Sequence, residues 1–170
     1  LLAGWALTGL GLAGAFFVAL GYVTDATWIA AFRRVPESMT GLLPAAALAL
    51  ALVFVFRPSL YSWTGEPVGA PGSFSRLWLS TPFFLVRATA YFATWILFAA
   101  ALVRHSRRQD VDGDLTWTRR NVKVSAAFIV VFALTCFLAS VDWIMSLTPH
   151  WYSTMFGVYN FAGLFQSGLA

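Results

Sequence analysis

S-T-P-F-F-L-V-R-A-T-A-Y-F-A-T-W-I-L-F-A-A-A-L-V-R-H-S-R-R, residues 80–108, is the stretch that decides the fold. It opens on Ser80 and Thr81 before Pro82, a helix cap followed by proline in the first turn, where the missing N–H has no partner to lose. It then runs apolar to Val103 with one charge, Arg87, and ends in the basic group Arg104, Arg107 and Arg108. About 20 apolar residues, rising ~1.5 Å each, cross a hydrocarbon core of roughly 30 Å. Residues 80–103 have that length and composition, so they read as a transmembrane helix.

The same pattern recurs on both sides of it. Residues 1–23 form a span carrying Gly4, Gly9, Gly11, Gly14 and Gly21, small residues that let a second helix approach closely. This span lacks the basic start and the cleavage site of a signal peptide. Residues 38–56 form another, with Pro44 near its start, where a kink or a late helix start is expected. Residues 122–147 form a fourth, and a fifth begins near Tyr152. The expected fold is therefore all-α: a polytopic transmembrane bundle of four complete spans over residues 1–150, with the beginning of a further helix over 151–170. Because both ends lie inside apolar helix patterns, the chain reads as a fragment of a longer protein.

Composition agrees. Of 170 residues, 59% are hydrophobic and only 11% charged, and the mean hydropathy is +0.74. An average soluble domain is about a quarter charged, so this chain lacks the polar surface to cover a globule in water. Sixteen Phe, eight Trp and five Tyr exclude a disordered chain. The net charge of +4 does not indicate a nucleic-acid partner, because in a membrane chain Lys and Arg report orientation. Six of them lie in residues 104–123 and two, Arg33 and Arg34, in residues 23–37; the opposite side has Arg57 and Arg76. Eight against two places the first pair of loops in the cytoplasm, so the start of the chain lies outside.

Chemistry-bearing residues are few. Cys136 is the single cysteine and sits in an apolar run, so the chain alone builds no disulfide, cysteine zinc site or iron–sulfur cluster. His105 and His150 fall in loops on opposite sides and cannot share a haem iron. The D-V-D-G-D run, Asp110 to Asp114, lacks the spacing and terminal Glu of a calcium loop and reads as a solvated turn. Residues 63–82 are rich in Gly and Pro, with Trp63 and Trp78 suited to a membrane interface. There is no phosphate loop or nucleophile elbow. No metal site or cofactor site is expected within the chain.

Ionisable groups inside spans are costly and are functional candidates by default. Arg87 lies shortly after the start of its helix and Asp142 near the end of the next, so the two share a depth. If those helices touch they form a buried ion pair, with Tyr91 at i+4 from Arg87 and Ser146 at i+4 from Asp142 on matching faces. Two readings stand: a static clamp between helices, or a proton or quinone-headgroup site at the outer face to which His150 contributes an imidazole. On the inner side Asp25, Arg33, Arg34 and Glu37 cluster. Arg33 and Glu37, four apart, either pair at a helix start or form a cytoplasmic mouth for protons. Between the two ends only Thr8, Thr89, Thr94, Tyr91, Thr135 and Ser140 could contribute to a proton wire.

The run S-V-D-W-I-M-S-L-T-P-H-W-Y-S-T-M-F-G-V-Y-N-F-A-G, residues 140–163, resembles a signature of the F-type membrane subunit (ActF) of alternative complex III, the bacterial quinol:cytochrome c or electron acceptor oxidoreductase. Ala3 to Trp5, W-I-A-A-F-R-R-V-P-E (Trp28 to Glu37) and S-T-P-F-F-L-V-R-A-T-A-Y-F-A-T-W (Ser80 to Trp95) match in the same order. That subunit is similar to the NrfD or polysulfide-reductase-like anchors. The resemblance implies about ten transmembrane helices in two bundles, of which this chain holds the first and the start of the second. It also implies that menaquinone or ubiquinone, haem c and iron–sulfur clusters belong to partner subunits, among them the related C-type membrane subunit. The F-type subunit would then contribute a proton path and an anchor, with Asp142, Arg87, Tyr91 and His150 forming an outer half-channel and Arg33 and Glu37 near the inner mouth. Where the family pattern has Leu-Glu-Pro-His, this chain has Leu-Thr-Pro-His, so Thr148 stands in place of an acid. Two alternatives remain: a quinone-binding anchor of an iron–sulfur oxidoreductase, and a secondary transporter with a midplane site.

Overall fold

Glycine and alanine make up much of helix α1 (Leu2–Val23), and this lets it sit at the centre of the molecule. The computed structural model describes residues 1–56, 60–65, 70–148 and 151–169. Around α1 lie α2 (Arg34–Met39), α3 (Leu42–Val55), α5 (Thr81–Asp112), α6 (Thr116–Trp143) and α7 (Phe156–Leu169), and α1 touches all five. A short helix, α4 (Phe74–Trp78), precedes α5, and 3-10 turns occupy Thr27–Ala31, Ser62–Thr64 and Met145–Leu147. Among the described residues there is no strand. The chain is an all-α, multi-pass membrane protein. Among the described residues four helical stretches are long and apolar enough to cross a bilayer: Leu2–Val23, Arg34–Val55, Thr81–Asp112 and Thr116–Leu147.

The close approach around α1 depends on missing side chains. A Cβ built on Gly11 would lie 2.8 Å from Leu43 Cδ2, and one on Gly4 the same distance from Leu50 Cδ2, so α3 packs directly on the α1 backbone. At Gly14 the added atom would meet the Pro36 carbonyl and, at 2.7 Å, Met39 Cβ on α2. Lipid tails are as apolar as leucine, so contacts of this kind hold helices together where the hydrophobic effect supplies little.

The second span is interrupted. Its helix begins at Arg34, four residues before the expected start, breaks at Thr40 and Gly41, and resumes at Leu42. Pro44 accounts for the break, since it has no N–H to offer the Thr40 carbonyl four residues back and its ring would press on it. That carbonyl instead accepts from Leu43 N at 3.1 Å, in a tighter turn.

Helices α5 and α6 are longer than the sequence suggests. The structure extends α5 nine residues past Val103, to Asp112, and starts α6 six residues before Val122. Arg, His, Ser and Gln continue a helix readily in water, and α5 stops only at Gly113, whose φ of 66° is left-handed. The expected basic loop is therefore two helical arms joined by residues 113–115. His105 sits on α5 and not in a loop, with Nδ1 3.0 Å from Asn121 Oδ1 on α6. Within the turn, Asp114 accepts from Thr116 N at 2.8 Å and Thr116 Oγ1 at 2.6 Å, and the Thr116 hydroxyl bond leads the causes that hold its carboxyl below the usual range. Only α7 starts later than expected, at Phe156.

Gly14→Val should overpack the α1–α2 contact and cost about 1–3 kcal/mol, whereas Gly9→Ala, whose Cβ would find only Leu164 Cγ at 3.9 Å, should be tolerated. Thermal unfolding of the two variants in detergent micelles checks this; an equal loss in both would remove the role given to close packing at Gly14.

Candidate functional site

Two helices deliver the charges. Arg87 lies in the second turn of α5, and Asp142 is the penultimate residue of α6, which runs antiparallel to it. Their side chains meet in a bidentate pair: Arg87 Nε donates to Asp142 Oδ2 at 2.8 Å and Nη2 to Oδ1 at 2.9 Å. Tyr91, one turn along α5, donates its hydroxyl to Oδ2 at 2.9 Å, and Trp78 Nε1 donates to Oδ1 at 2.8 Å. Each carboxylate oxygen thus accepts two hydrogen bonds. The remaining guanidinium arm, Nη1, donates to the Trp78 carbonyl at 2.9 Å. The guanidinium carbon lies 4.0 Å from the centre of the Trp78 ring and 4.5 Å from that of Phe83, so aromatic faces cover the cation. Asp142 is 1% exposed and Arg87 8%.

An aromatic shell encloses this pair. Trp143, fully buried, lies 5.4 Å from Phe92 in a stacked arrangement, 5.7 Å from Trp5 and from Phe54, and 5.9 Å from Trp95. Tyr61, in the segment before α4, donates to the Trp143 carbonyl at 2.9 Å. Burial, and after it the Asp142 charge, push the Tyr61 phenol well above its usual range.

Tyr91 therefore joins Arg87 and Asp142 as the sequence indicates, but Ser146 does not reach the carboxylate. Because α6 ends at Trp143, Ser146 stands in the following 3-10 turn and donates to the Asp142 backbone carbonyl. His150 lies outside the described residues, as does Arg57. The hydroxyls named for a wire are largely committed: Thr8, Thr89, Thr135 and Ser140 each donate to the carbonyl four residues back in their own helix.

At the opposite, basic end the expected pairing changes partner. Arg33 does not pair with Glu37: its carbonyl accepts from Glu37 N at 3.1 Å in a helical turn, but its guanidinium binds Asp110 on α5, and Glu37 is taken by Arg34. Arg34, inside α2, binds both Glu37 and Asp110. Glu37 is buried, and its second oxygen, Oε1, has no hydrogen-bond partner. Asp25, at a left-handed φ of 50°, makes no ion pair among the described residues; with Arg33 it lines a cavity of about 160 Å³, separate from the larger cleft that Glu37 faces.

Two contributors escaped the sequence reading. Trp78 was legible only as an interfacial tryptophan, and its role as donor and ring over Arg87 depends on α4 folding back across the start of α5. Asn121 is the other: fully buried, it donates to the Leu102 carbonyl at 3.2 Å and meets His105, tying α5 to α6 at the basic end. Among the described residues no group of three His, Cys, Asp or Glu side chains is placed to hold a metal ion. No protein-family model and no curated protein matches the chain.

Removing one charge of the pair should strand the other. Arg87→Met is expected to cost about 3–5 kcal/mol, and the double variant Arg87→Met/Asp142→Leu less than that. Tyr91→Phe, which deletes one bond to a charged acceptor, should cost about 1.5–3 kcal/mol. A thermal double-mutant cycle in micelles reads all three, and additive losses at positions 87 and 142 would mean that the two charges are not coupled.

Proposed function

We propose that the chain is part of the F-type membrane subunit of a bacterial quinol:electron acceptor oxidoreductase of the alternative complex III kind. In this reading it lies in the cytoplasmic membrane with its first residue toward the periplasm. It anchors partner subunits that carry the quinone site, haem c and iron–sulfur clusters, the C-type membrane subunit among them. One observation carries the reading: the two stretches most like that subunit are the two that interlock. Residues 80–95 supply Arg87 and Tyr91, and residues 140–163 supply the Asp142 that receives them.

The geometry supports an anchoring role for the cluster itself. A carboxylate with four donors and a guanidinium covered by two rings hold three elements, α4, α5 and α6, in one arrangement at the membrane boundary. Such a surface is suited to docking a rigid partner.

A second reading, a proton path, is favoured by Glu37. A carboxylate beside a cleft, with one oxygen bonded to Arg34 and the other buried without a partner, gains by taking up a proton or a water that enters from the basic side.

Asp142→Asn and Glu37→Gln in the assembled complex separate the two. Anchoring predicts that Asp142→Asn reduces the yield of intact complex while the surviving complex keeps its proton-to-electron ratio. A proton path predicts normal assembly and a lowered ratio, first in Glu37→Gln. Full assembly at full ratio in both variants would overturn both roles.

A further inference from the structure

We propose that the cleft at the basic end of α5 binds an anionic glycerophospholipid, its phosphate among Arg104, Arg107 and Arg108 and one acyl chain in the groove between α3 and α5. The inference needs only that the chain spans a membrane, and it does not depend on the function proposed above.

Spacing on α5 sets up the site. Arg104, Arg107 and Arg108 stand at i, i+3 and i+4 and so share a face, and all three line a cleft of about 790 Å³ with Val103, Ala99 and Ile96 from the same face. Along that one stripe the surface changes from apolar to basic within a single turn, at Val103 and Arg104. This is where the hydrocarbon gives way to the headgroup layer. Arg108 is held partly by the Trp117 ring, 5.1 Å away. The carboxylates in the cleft do not cancel the arginines, because Glu37 is already paired with Arg34 and the other, Asp112, is at the exposed last turn of α5.

The cleft continues as a second cavity of about 620 Å³, with which it shares Pro44 and Ile96, and this one is walled almost wholly by carbon. It runs between α3 and α5 past Ala47, Ala51, Ala88 and Ala93, whose small side chains leave the groove open. From Arg104 to Leu85, at the far end of the groove, is nineteen residues of helix, or about 29 Å, so an acyl chain that fills one leaflet, about half the hydrocarbon thickness, would occupy the part of the groove nearer the arginines, down to Ala93. A basic pocket between helices that opens into a lipid-lined groove has the chemistry of a lipid with a negative headgroup, and each arginine near the surface strengthens that preference. A neutral isoprenoid would use the groove but not the arginines, and free phosphate would use the arginines but not the groove.

The test places the full chain in phosphatidylcholine vesicles with chain-labelled phosphatidylglycerol or chain-labelled phosphatidylcholine and reads the motionally restricted fraction by electron spin resonance. Phosphatidylglycerol should be preferred. Arg104→Gln/Arg107→Gln/Arg108→Gln should erode the preference by roughly fivefold per arginine, while Arg119→Gln/Arg120→Gln/Lys123→Gln, of equal charge change on α6, should retain it. Ala100→Trp, at an exposed position in the cleft one turn from Ile96, where cleft and groove join, should release the chain with the arginines intact. Equal restriction of the two lipids, an equal loss in both triple variants, no effect of Ala100→Trp, or displacement of the labelled lipid by inorganic phosphate alone would each overturn the assignment.

Discussion

Arg87 and Asp142 cannot be separated inside a bilayer without leaving a charge in hydrocarbon, and this constraint sets the relative position of α5 and α6. Breaking a buried pair costs far more than the pair itself contributes to stability, so its main effect is to make one arrangement of the helices much better than its neighbours. Sliding α6 by one turn would remove Asp142 from Arg87 Nε, Arg87 Nη2, Tyr91 and Trp78 together. The same antiparallel register is repeated farther along. Trp95 Nε1 donates to Thr135 Oγ1 at 2.8 Å, and Asn121 reaches both Leu102 and His105. Polar ties at three depths thus fix the register of this helix pair.

What the pair fixes, the aromatic shell and α1 extend to the rest of the bundle. Trp143 follows Asp142 directly, so locating the carboxylate also locates the largest buried ring of α6. That ring packs against Trp5 of α1, Phe54 of α3 and Phe92 and Trp95 of α5. Its carbonyl receives Tyr61, which ties the segment before α4 to the same point. Around α1 the mechanism differs: glycine brings α3 and α2 to van der Waals distance, gaining dispersion where lipid offers no hydrophobic gain.

The spans and the central ion pair were legible because both follow from one rule, that polar groups in hydrocarbon must be paired. Misreadings fall where that rule stops applying. Outside the bilayer Arg104 to Gln109 are no obstacle to a helix, so counting charges placed a loop where Gly113 alone ends the structure. Arg33 shows a second limit: its carbonyl accepts from Glu37 N as i,i+4 spacing requires, yet its guanidinium is taken by Asp110, a partner on α5 that spacing within one helix does not reveal. Ser146 likewise bonds the Asp142 carbonyl four residues back and not its carboxylate. Trp78 could not be assigned from sequence, because its position depends on how a five-residue helix turns back over α5, and nothing in F-S-R-L-W specifies that turn.

The two ends of α5 show what a carboxylate contributes in each setting. At Asp142 four hydrogen bonds fill the two oxygens, and the remaining guanidinium arm donates to a backbone carbonyl, so no carboxylate oxygen is left without partners. At the other end the count is left open. Glu37 has one oxygen without a partner, Asp110 serves two arginines at once, and Arg104 and Arg107 are exposed at the rim of a cleft. A closed set of bonds favours rigidity, because any exchange of partner passes through a state with a buried unpaired group. An open set leaves groups that can take a solvent molecule, a proton or an anionic headgroup without first breaking anything. Where this chain meets small molecules or lipid, the chemistry therefore belongs to the basic end, and the Arg87–Asp142 end holds the helices that carry it.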